Sequence, residues 1–357
     1  AQQGDEVGVV LDKSPFYGEA GGQIGDQGTL ETSQGAAEVL DTTWVDELLV
    51  HRAKVTRGTL AVSAPVRAAV NVDRRLKIAR SHTATHLLHW ALRNVLGPEA
   101  VQAGSYVDTE RVRFDFSSLG GLQEEQWATV EQLVNGRIRN PDDVRTDVMD
   151  LERARQEGAL ALFGEKYGRK VRVVSIGDYS KEFCGGTHLR HTGSVGLFRL
   201  VSESSIAAGT RRVEALVGQA AMDRQQEESR VLRQVAQQLS RAPGDALQGL
   251  EELMQQLKTT ERQLKSLKLE FAKTQVGRFV AQAKQVDGIT LVAARMDGAD
   301  REVLAALADA IKQSVSEGVT VLASKERQDS VAWVMGVSPS LVKRGLHAGQ
   351  LLKTIAA

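Results

Sequence analysis

Two short motifs, separated by roughly a hundred residues, place the strongest constraint on how this chain folds. His82 and His86 stand four positions apart in His-Thr-Ala-Thr-His, and Cys184 and His188 repeat that spacing in Cys-Gly-Gly-Thr-His. The chain has 7 histidines and 1 cysteine among 357 residues, so a chance occurrence of both motifs is improbable. Histidine nitrogen and cysteine sulfur are donors that zinc prefers. The motifs therefore predict a fold that brings both segments to one zinc ion.

The first motif is expected on a long helix. Asn71 or Asp73 is a plausible N-cap, and Gly97 followed by proline is a plausible stop. Positions i and i+4 lie on one face of a helix, so His82 and His86 would point the same way. At about 100° per residue, four apolar positions fall on the opposite side. These are Leu88, Ala91, Leu92 and Val95.

The second motif requires a loop, and Gly185-Gly186 allows the tight turn that brings a thiolate and an imidazole to one ion. His89, on the histidine face of the helix, and His191 are expected to pack around the site without binding the metal. A metal that only stabilises the fold remains an alternative. Four protein ligands describe a closed structural site, whereas catalytic zinc normally keeps a position for water.

The longer segment from Ser81 to His89, together with residues 184–188, resembles the editing domain of the alanyl-tRNA synthetase family. That family includes free-standing relatives, and its editing domains hydrolyse wrongly charged alanine tRNA. The resemblance extends over nearly the whole chain. The chain resembles a C-terminal fragment of a family member. Such a fragment comprises the editing domain, a helical linker and the terminal domain, and it lacks the ATP-using aminoacylation domain. The other matching segments are residues 15–26, 102–107, 113–116 and 209–215.

The resemblance implies a zinc hydrolase with His82, His86, Cys184 and His188 as ligands. Among the candidate catalytic residues, Gln102 would donate a hydrogen bond to the ester or ribose, and Thr83 and Thr85 would recognise the hydroxyl of serine. Helix threonines often bond to their own backbone instead. Three glycines would let the backbone approach the tRNA end, although glycines in such a run also serve simply as turns. They are Gly21, Gly22 and Gly25.

Composition sets limits on partners and compartment. The chain carries 45 basic and 45 acidic residues, so any contact with tRNA must come from a local cluster of charge. A single cysteine excludes an internal disulfide and indicates a reducing compartment, which we expect to be the cytoplasm. No apolar run of membrane-spanning length occurs, so we expect no membrane partner.

The sequence predicts an α+β multidomain protein of four segments. Residues 1–70 alternate polar and apolar positions between glycine turns, which indicates a small glycine-rich β-barrel. Residues 71–217 mix helices and strands in an α+β domain that holds the zinc. Residues 218–285 predict an antiparallel helical hairpin or coiled coil. Residues 286–357 read as strand, helix, strand, strand and helix, a small α/β domain that resembles the family's tRNA-binding and oligomerisation domain.

The helical segment carries two patterns. Leucines recur with nearly heptad spacing from Leu250 to Phe271, and Asp245 with Gln248 reads as a capping pair for that helix. A cluster of basic residues is commonly just a solvated helix face, and the functional alternative is a stripe that contacts tRNA phosphates. The candidates are Lys258, Arg262, Lys265, Lys268 and Lys273, with Lys343 and Arg344 in the last segment.

Together these observations favour hydrolysis of the ester in mischarged seryl- or glycyl-tRNA(Ala), with zinc as cofactor. A synthetase pocket built for alanine admits glycine and incompletely rejects serine, so a second site removes the errors. Ligase activity is not expected in residues 1–357. The alternatives are a free-standing alanyl-tRNA editing protein and a non-catalytic tRNA-binding or dimerisation module, and a homodimer through the helical and terminal segments is expected.

Overall fold

A computed structural model describes residues 1–161, 167–327 and 330–356 of the chain. The chain forms two compact units, Ala1–Val231 and Leu232–Ala357. Each unit has its own sheets and its own buried core. Both combine helices with mostly antiparallel strands, so the α+β class predicted from the sequence is confirmed.

The first 70 residues form an open antiparallel sheet, so the predicted β-barrel is wrong. Its strands are β1 (Glu6–Val10), β2 (Gly28–Glu31), β3 (Gly35–Val45), β4 (Leu48–Gly58) and β5 (Arg67–Val70), in the order β1-β4-β3-β2-β5. Closing a barrel requires the edge strands to pair. Among the described residues, the edge strands β1 and β5 do not pair with each other. They are also short, with 5 and 4 residues, whereas β3 and β4 each have 11. Alternate residues of β2 to β4 fill a small core; they are Leu30, Ala37, Val39, Ala53 and Val55.

A 25-residue helix, α1 (Val72–Leu96), follows this sheet and carries the first motif. It begins where Asn71 Oδ1 accepts the backbone N–H of Arg74 at 3.0 Å, which satisfies one of the free donors at a helix start. It ends at Gly97, whose φ of 102° favours glycine. The face opposite the motif histidines is buried as predicted, with Leu88, Ala91 and Leu92 fully inaccessible to solvent.

The remainder of the first unit surrounds α1. In chain order its elements are β6 (Gln102–Val107), β7 (Arg111–Ser117), α2 (Glu124–Arg139), β8 (Val144–Asp150), α3 (Leu151–Gln156), β9 (Lys170–Ile176), β10 (Ser180–Phe183), a 3₁₀ turn (Thr192–Val195), β11 (Phe198–Ala207) and β12 (Thr210–Val217). A four-stranded sheet in the order β11-β12-β7-β6 buries Phe114, Phe116 and Phe198 against α1 and α2, and a three-stranded sheet has the order β10-β9-β8.

Two long helices follow, α4 (Gln219–Gln238) and α5 (Ala246–Thr274). The expected capping pair at the start of α5 is wrong: Asp245 precedes the helix, but its side chain makes no capping hydrogen bond. It instead ends a short 3₁₀ turn, Pro243–Asp245. In the second unit α5 packs against a later helix through Leu269 and Ala272. The leucine seam remains exposed among the described residues, with Leu250 at 44% and Leu267 at 62%.

The last part of the second unit forms a small sheet with helices. Its elements are α6 (Val276–Ala281), β13 (Lys284–Val286), β14 (Ile289–Arg295), α7 (Arg301–Ser314), β15 (Gly318–Arg327), β16 (Ser330–Val337), α8 (Pro339–Lys343) and α9 (Ala348–Ala356). The four strands have the order β13-β14-β15-β16. The helix α7 connects the parallel pair β14 and β15, and it buries Val303, Leu304, Leu307 and Ile311 against the sheet. Asp300 caps α7 by accepting the backbone N–H of Val303 at 2.9 Å. Within the described residues, no helix has the length and apolar character needed to cross a membrane.

Candidate metal centre

The two motifs converge in the first unit. His82 and His86 project from α1, and Cys184 and His188 lie in the loop that follows β10. One donor atom from each of the four residues lies within 4.8 Å of the other three. His82 and His86 are each 5% exposed, whereas Cys184 and His188 are half-buried. The structure therefore brings together the four residues that the spacing predicted.

The three imidazoles all direct their Nε2 atoms to the centre of the cluster. His82 Nε2 and His188 Nε2 lie 3.3 and 3.2 Å from Cys184 Sγ, and His86 Nε2 is buried without a hydrogen bond among the described residues. Each Nδ1 atom faces outward to an oxygen. The distances are 2.7 Å from His82 to Gln23 Oε1, 3.0 Å from His86 to Glu182 Oε2 and 3.3 Å from His188 to Thr83 Oγ1. Metal-binding histidines characteristically have such outer partners, so the donor set fits a zinc ion.

Burial and neighbouring charge shift the pKa values of the cluster. Burial disfavours the His86 imidazolium, but Glu182 and Cys184 outweigh that effect and raise the pKa of His86 to about 10. Burial also disfavours the Glu182 carboxylate, yet the charge of His86 holds its pKa well below the usual range. The Cys184 thiol has a pKa lowered well below its ordinary value, because His82 and His188 outweigh its burial. Burial and the charge of His82 lower the pKa of His188 to about 3. The cluster thus offers a thiolate and a neutral imidazole, and a metal would compete with the proton on His86.

The loop that carries Cys184 and His188 is held from two sides. Arg172 on β9 donates through Nη1 to the carbonyl oxygens of Cys184 at 2.8 Å and Gly186 at 2.6 Å. On the other side Gly186 lies directly against the His82 ring, where a side chain would overlap the imidazole. The loop is therefore fixed by its backbone as well as by its donor side chains.

A cavity of about 330 Å³ adjoins the cluster, and His82, His86 and Cys184 form part of its wall. Of the predicted catalytic residues, Gln102 and Thr85 line it. Gln102 Nε2 donates to Ser105 Oγ at 3.0 Å, and the Thr85 hydroxyl donates to the carbonyl of Ser81 at 3.0 Å. The cavity is also lined by Tyr17, Ala20, Gly21, Lys170 and Arg172.

Three of the other predicted residues do not line this cavity. Thr83 is fully buried, and its Oγ1 accepts the backbone N–H of Leu189 at 3.1 Å while it contacts His188. Gly22, at a φ of 80°, would place a Cβ 2.2 Å from the carbonyl oxygen of Ser105, and Gly25 would place one 2.0 Å from that of Thr42. These two glycines permit close packing of the glycine-rich segment, whereas Gly21 reaches the cavity.

Of the two outlying histidines, His89 is buried beside the site, whereas His191 is exposed. His89 Nδ1 lies 3.1 Å from Glu182 Oε1, and the His89 ring contacts Phe114. His191 contacts the hydroxyl of Ser194. Neither belongs to the four-residue donor group.

Sequence reasoning missed the residues that support the four donors. Gln23, Glu182 and Arg172 follow no spacing rule relative to the motifs, and their partners become evident only once the chain has folded. Gln23 lies inside the glycine-rich segment, where the glycine spacing gives no indication of a role for the glutamine between them. Glu182 has one weak signal, since it is a charged residue in strand β10, two positions before the cysteine.

The residues predicted to contact tRNA lie in the second unit. Lys265 Nζ is 2.6 Å from Glu302, and Arg344 is 3.8 Å from Glu317, so the charges of these two are partly matched. The remaining basic residues project from α5 and α8, and all but the half-buried Lys268 are exposed. They are Lys258, Arg262, Lys268, Lys273 and Lys343.

Two segments of the first unit match known protein families. Residues 171–214 match the family described as threonyl and alanyl tRNA synthetase second additional domain, and residues 1–74 match that described as tRNA synthetases class II (A). These matches point to the class of tRNA synthetases, and the first of them includes Cys184 and His188 of the His/Cys cluster.

Curated relatives specify the family further. The chain is 42% identical over 357 residues to the alanine–tRNA ligase of Acetivibrio thermocellus, covering 100% of this chain and 40% of the relative. It is 42% identical over 355 residues to the alanine–tRNA ligase of Geobacillus kaustophilus, covering 99% of this chain and 40% of the relative. It is 40% identical over 357 residues to the alanine–tRNA ligase of Bacillus subtilis, covering 100% of this chain and 40% of the relative. The chain belongs to the alanine–tRNA ligase family, and it spans about 40% of the length of these relatives.

Proposed function

We propose that the first unit hydrolyses the ester of mischarged seryl- or glycyl-tRNA(Ala), with zinc bound by His82, His86, Cys184 and His188. The observation that carries this proposal is the cavity beside the four-residue cluster, because three of the four donors form part of its wall. A metal that served only the fold would need no cavity at its side. We further propose that the protein acts in the cytoplasm.

The cavity offers chemistry suited to an aminoacyl ester. A zinc ion bound there would supply a positive charge able to polarise an ester carbonyl, activate water or hold the amino group of the substrate. Gln102 would donate a hydrogen bond to the ester or the ribose, while the Thr85 hydroxyl would turn from the carbonyl of Ser81 to the hydroxyl of serine. Gly21 would allow the terminal ribose to approach the backbone.

The size of the cavity supports this choice of substrate. A volume of about 330 Å³ is at the lower end of the range for ligand sites. It suits an aminoacyl group and part of a ribose better than an entire nucleotide chain. We infer that the body of the tRNA is bound elsewhere.

Single-turnover hydrolysis tests the proposal. Seryl-tRNA(Ala) should be hydrolysed well above the uncatalysed rate and alanyl-tRNA(Ala) largely spared, and the activity should be lost on chelation and return with zinc. Gln102→Ala should lower the rate by about tenfold, which is the value of one hydrogen bond of about 1.4 kcal/mol. Gln34→Ala, at an exposed loop position, is the matched control.

Two results would contradict the proposal. One is a hydrolysis rate equal to that of the tRNA alone. The other is a rate that is the same in the metal-free and zinc-loaded protein. We also propose that residues 1–357 carry no ligase activity of their own, so alanine-dependent pyrophosphate exchange should remain at background throughout.

The second unit supports a proposal for tRNA binding. Arg262, Lys268 and Lys273 on α5 would neutralise phosphates of the tRNA body, so their combined replacement by alanine should weaken binding and flatten its salt dependence. The slope of log K against log salt should fall by about 2 to 3, since each contact contributes about 0.7 to 0.9. Single-turnover hydrolysis at saturating tRNA should change little.

Binding titrations between about 50 and 200 mM salt measure this effect. The control replaces Lys13, Lys54 and Lys77 by alanine, which changes the net charge equally at exposed positions of the first unit. If both triple variants flatten the slope alike, the effect comes from overall charge and α5 is not the binding surface.

A dimerisation module is the second candidate function, and the exposed leucine seam of α5 favours it. Leu253, Leu257 and Leu264 are 51%, 59% and 53% exposed, an unusual state for leucines that repeat with nearly heptad spacing. We propose a homodimer through this segment and the terminal domain. A free-standing editing protein remains the other alternative, and it would share the same site.

A further inference from the structure

Gln23 connects the glycine-rich segment to the metal centre. It is fully buried, and its side-chain Oε1 lies 2.7 Å from His82 Nδ1, 2.9 Å from the backbone nitrogen of Thr187 and 3.3 Å from Thr187 Oγ1. One oxygen therefore contacts both halves of the donor set, because His82 belongs to α1 and Thr187 stands between Cys184 and His188 in the loop.

These contacts determine which His82 nitrogen carries a proton. The backbone nitrogen of Thr187 can only donate a hydrogen bond, so the atom of Gln23 that faces it must be the oxygen. If the side-chain amide of Gln23 were turned over, its NH₂ group would face the backbone N–H of Thr187, and two donors cannot form a hydrogen bond with each other. With the oxygen in this place, His82 Nδ1 must be the donor, and a neutral His82 then has its lone pair on Nε2. His82 Nε2 lies 3.3 Å from Cys184 Sγ, on the side where a metal would bind.

The same segment also forms part of the cavity. Gln23 and Ala20 exchange two backbone hydrogen bonds, of 3.0 and 3.2 Å, and the neighbouring Gly22 accepts the backbone N–H of Val107 at 2.8 Å. Ala20 and Gly21 line the cavity. The turn that shapes the cavity wall thus also places the Gln23 oxygen against His82.

We propose that Gln23 is a positioning residue of the metal centre. Its oxygen holds His82 in the tautomer with a free Nε2 and keeps the loop of residues 184–188 against α1. The inference rests on the metal site of the proposed function, but it concerns the ligand geometry and does not depend on which ester is cleaved.

Two kinds of substitution separate this role from simple packing. Gln23→Glu keeps an oxygen that accepts from both partners, and it sacrifices no hydrogen bond from Nε2, which has none among the described residues. Gln23→Leu and Gln23→Met fill the space without an acceptor. Gln27→Leu is the matched control, because Gln27 lies in the same segment and donates to the carbonyl of Leu40 instead.

The first measurement is zinc affinity, by competition with a chelator, on the full chain. We expect Gln23→Leu and Gln23→Met to weaken zinc binding by about 10 to 100 fold, the usual effect of losing an outer partner of a metal ligand. Gln23→Glu and Gln27→Leu should stay within about threefold of the wild type on the same reasoning. The visible spectrum of the cobalt-substituted protein should change in the two apolar variants only.

The second measurement is the tautomer of His82 in the zinc-free protein, observed by nitrogen NMR of labelled histidine. The proton should lie on Nδ1 in the wild type and in Gln23→Glu, and it should be distributed over both nitrogens in Gln23→Leu. This readout applies to any variant that remains folded, as judged by circular dichroism.

Three results would overturn the inference: zinc affinity unchanged in both apolar variants, equal loss in Gln23→Glu and Gln23→Leu, or a wild-type chain that binds no zinc. Failure of the proposed function looks different. A wild-type chain that binds zinc but does not hydrolyse seryl-tRNA(Ala) would remove the editing reaction, while the pattern among the Gln23 variants would still support the positioning role.

Discussion

Replacing Cys184 by alanine is expected to empty the metal centre. The thiolate is the only anionic donor of the four-residue group, and two imidazole nitrogens lie within 3.3 Å of its sulfur. Without it, three neutral imidazoles would have to hold a dication in a buried site. We expect bound zinc to fall from about one equivalent to less than about a tenth, and hydrolysis of seryl-tRNA(Ala) to fall by at least about a hundredfold. Elemental analysis of the dialysed protein measures the metal.

The matched histidine variants locate the effect. His188→Ala should also lose the metal, because its Nε2 faces Cys184 Sγ. His191→Ala and His89→Ala should retain it, since neither histidine belongs to the donor group. A full equivalent of zinc in both Cys184→Ala and His188→Ala would remove these residues as ligands. Loss of metal in all four variants would instead indicate a general disturbance of the fold.

Gly186→Ala is expected to disrupt the site, whereas Gly185→Ala should have little effect. A Cβ on Gly186 would lie 2.0 Å from His82 Cε1, 2.2 Å from His82 Nδ1 and 2.8 Å from Gln23 Oε1. The imidazole cannot move aside without losing both its Gln23 partner and its place beside Cys184. Overpacking of this kind costs about 1 to 3 kcal/mol of stability, and zinc affinity should fall by about a hundredfold, in line with displaced metal ligands.

The neighbouring glycine provides the control. A Cβ on Gly185 would meet no atom of the described residues within 4 Å, so Gly185→Ala should change stability by less than about 0.5 kcal/mol. Thermal melting and zinc competition measure both variants. Equal behaviour of the two alanines would show that the close approach of Gly186 to His82 does not limit the site.

The helical part of the site was predictable because its determinants are local. Asn71 and Gly97 bound α1 in the sequence as in the structure. The four-residue spacing of His82 and His86 places them on one face of a helix whatever surrounds it. The spacing of Cys184 and His188 indicated a second pair of donors, and the structure brings both pairs together.

The strands and helices themselves were largely predictable from the sequence, but the way in which they pair and pack was not. Alternation in residues 1–70 indicated strands, but whether a sheet closes depends on hydrogen bonds between its edges, which lie far apart in sequence. In the part of the chain that the structure describes, β1 and β5 do not pair. The leucine spacing of α5 likewise indicated a helix with an apolar face. Spacing does not determine what covers that face, and Leu250 and Leu267 remain exposed among the described residues.

By itself the sequence determined the donors, the helix that carries two of them, the glycine-rich turn that carries the others and the family to which the chain belongs. Only the tertiary structure decided which groups support those donors: Gln23 beside His82, Glu182 beside His86 and Thr83 beside His188. The physical reason is the distance along the sequence over which each interaction acts. Helix periodicity and glycine turns act within a few residues, whereas Gln23 and Thr187 are 164 positions apart, so a hydrogen bond between them depends on the packing of the entire unit.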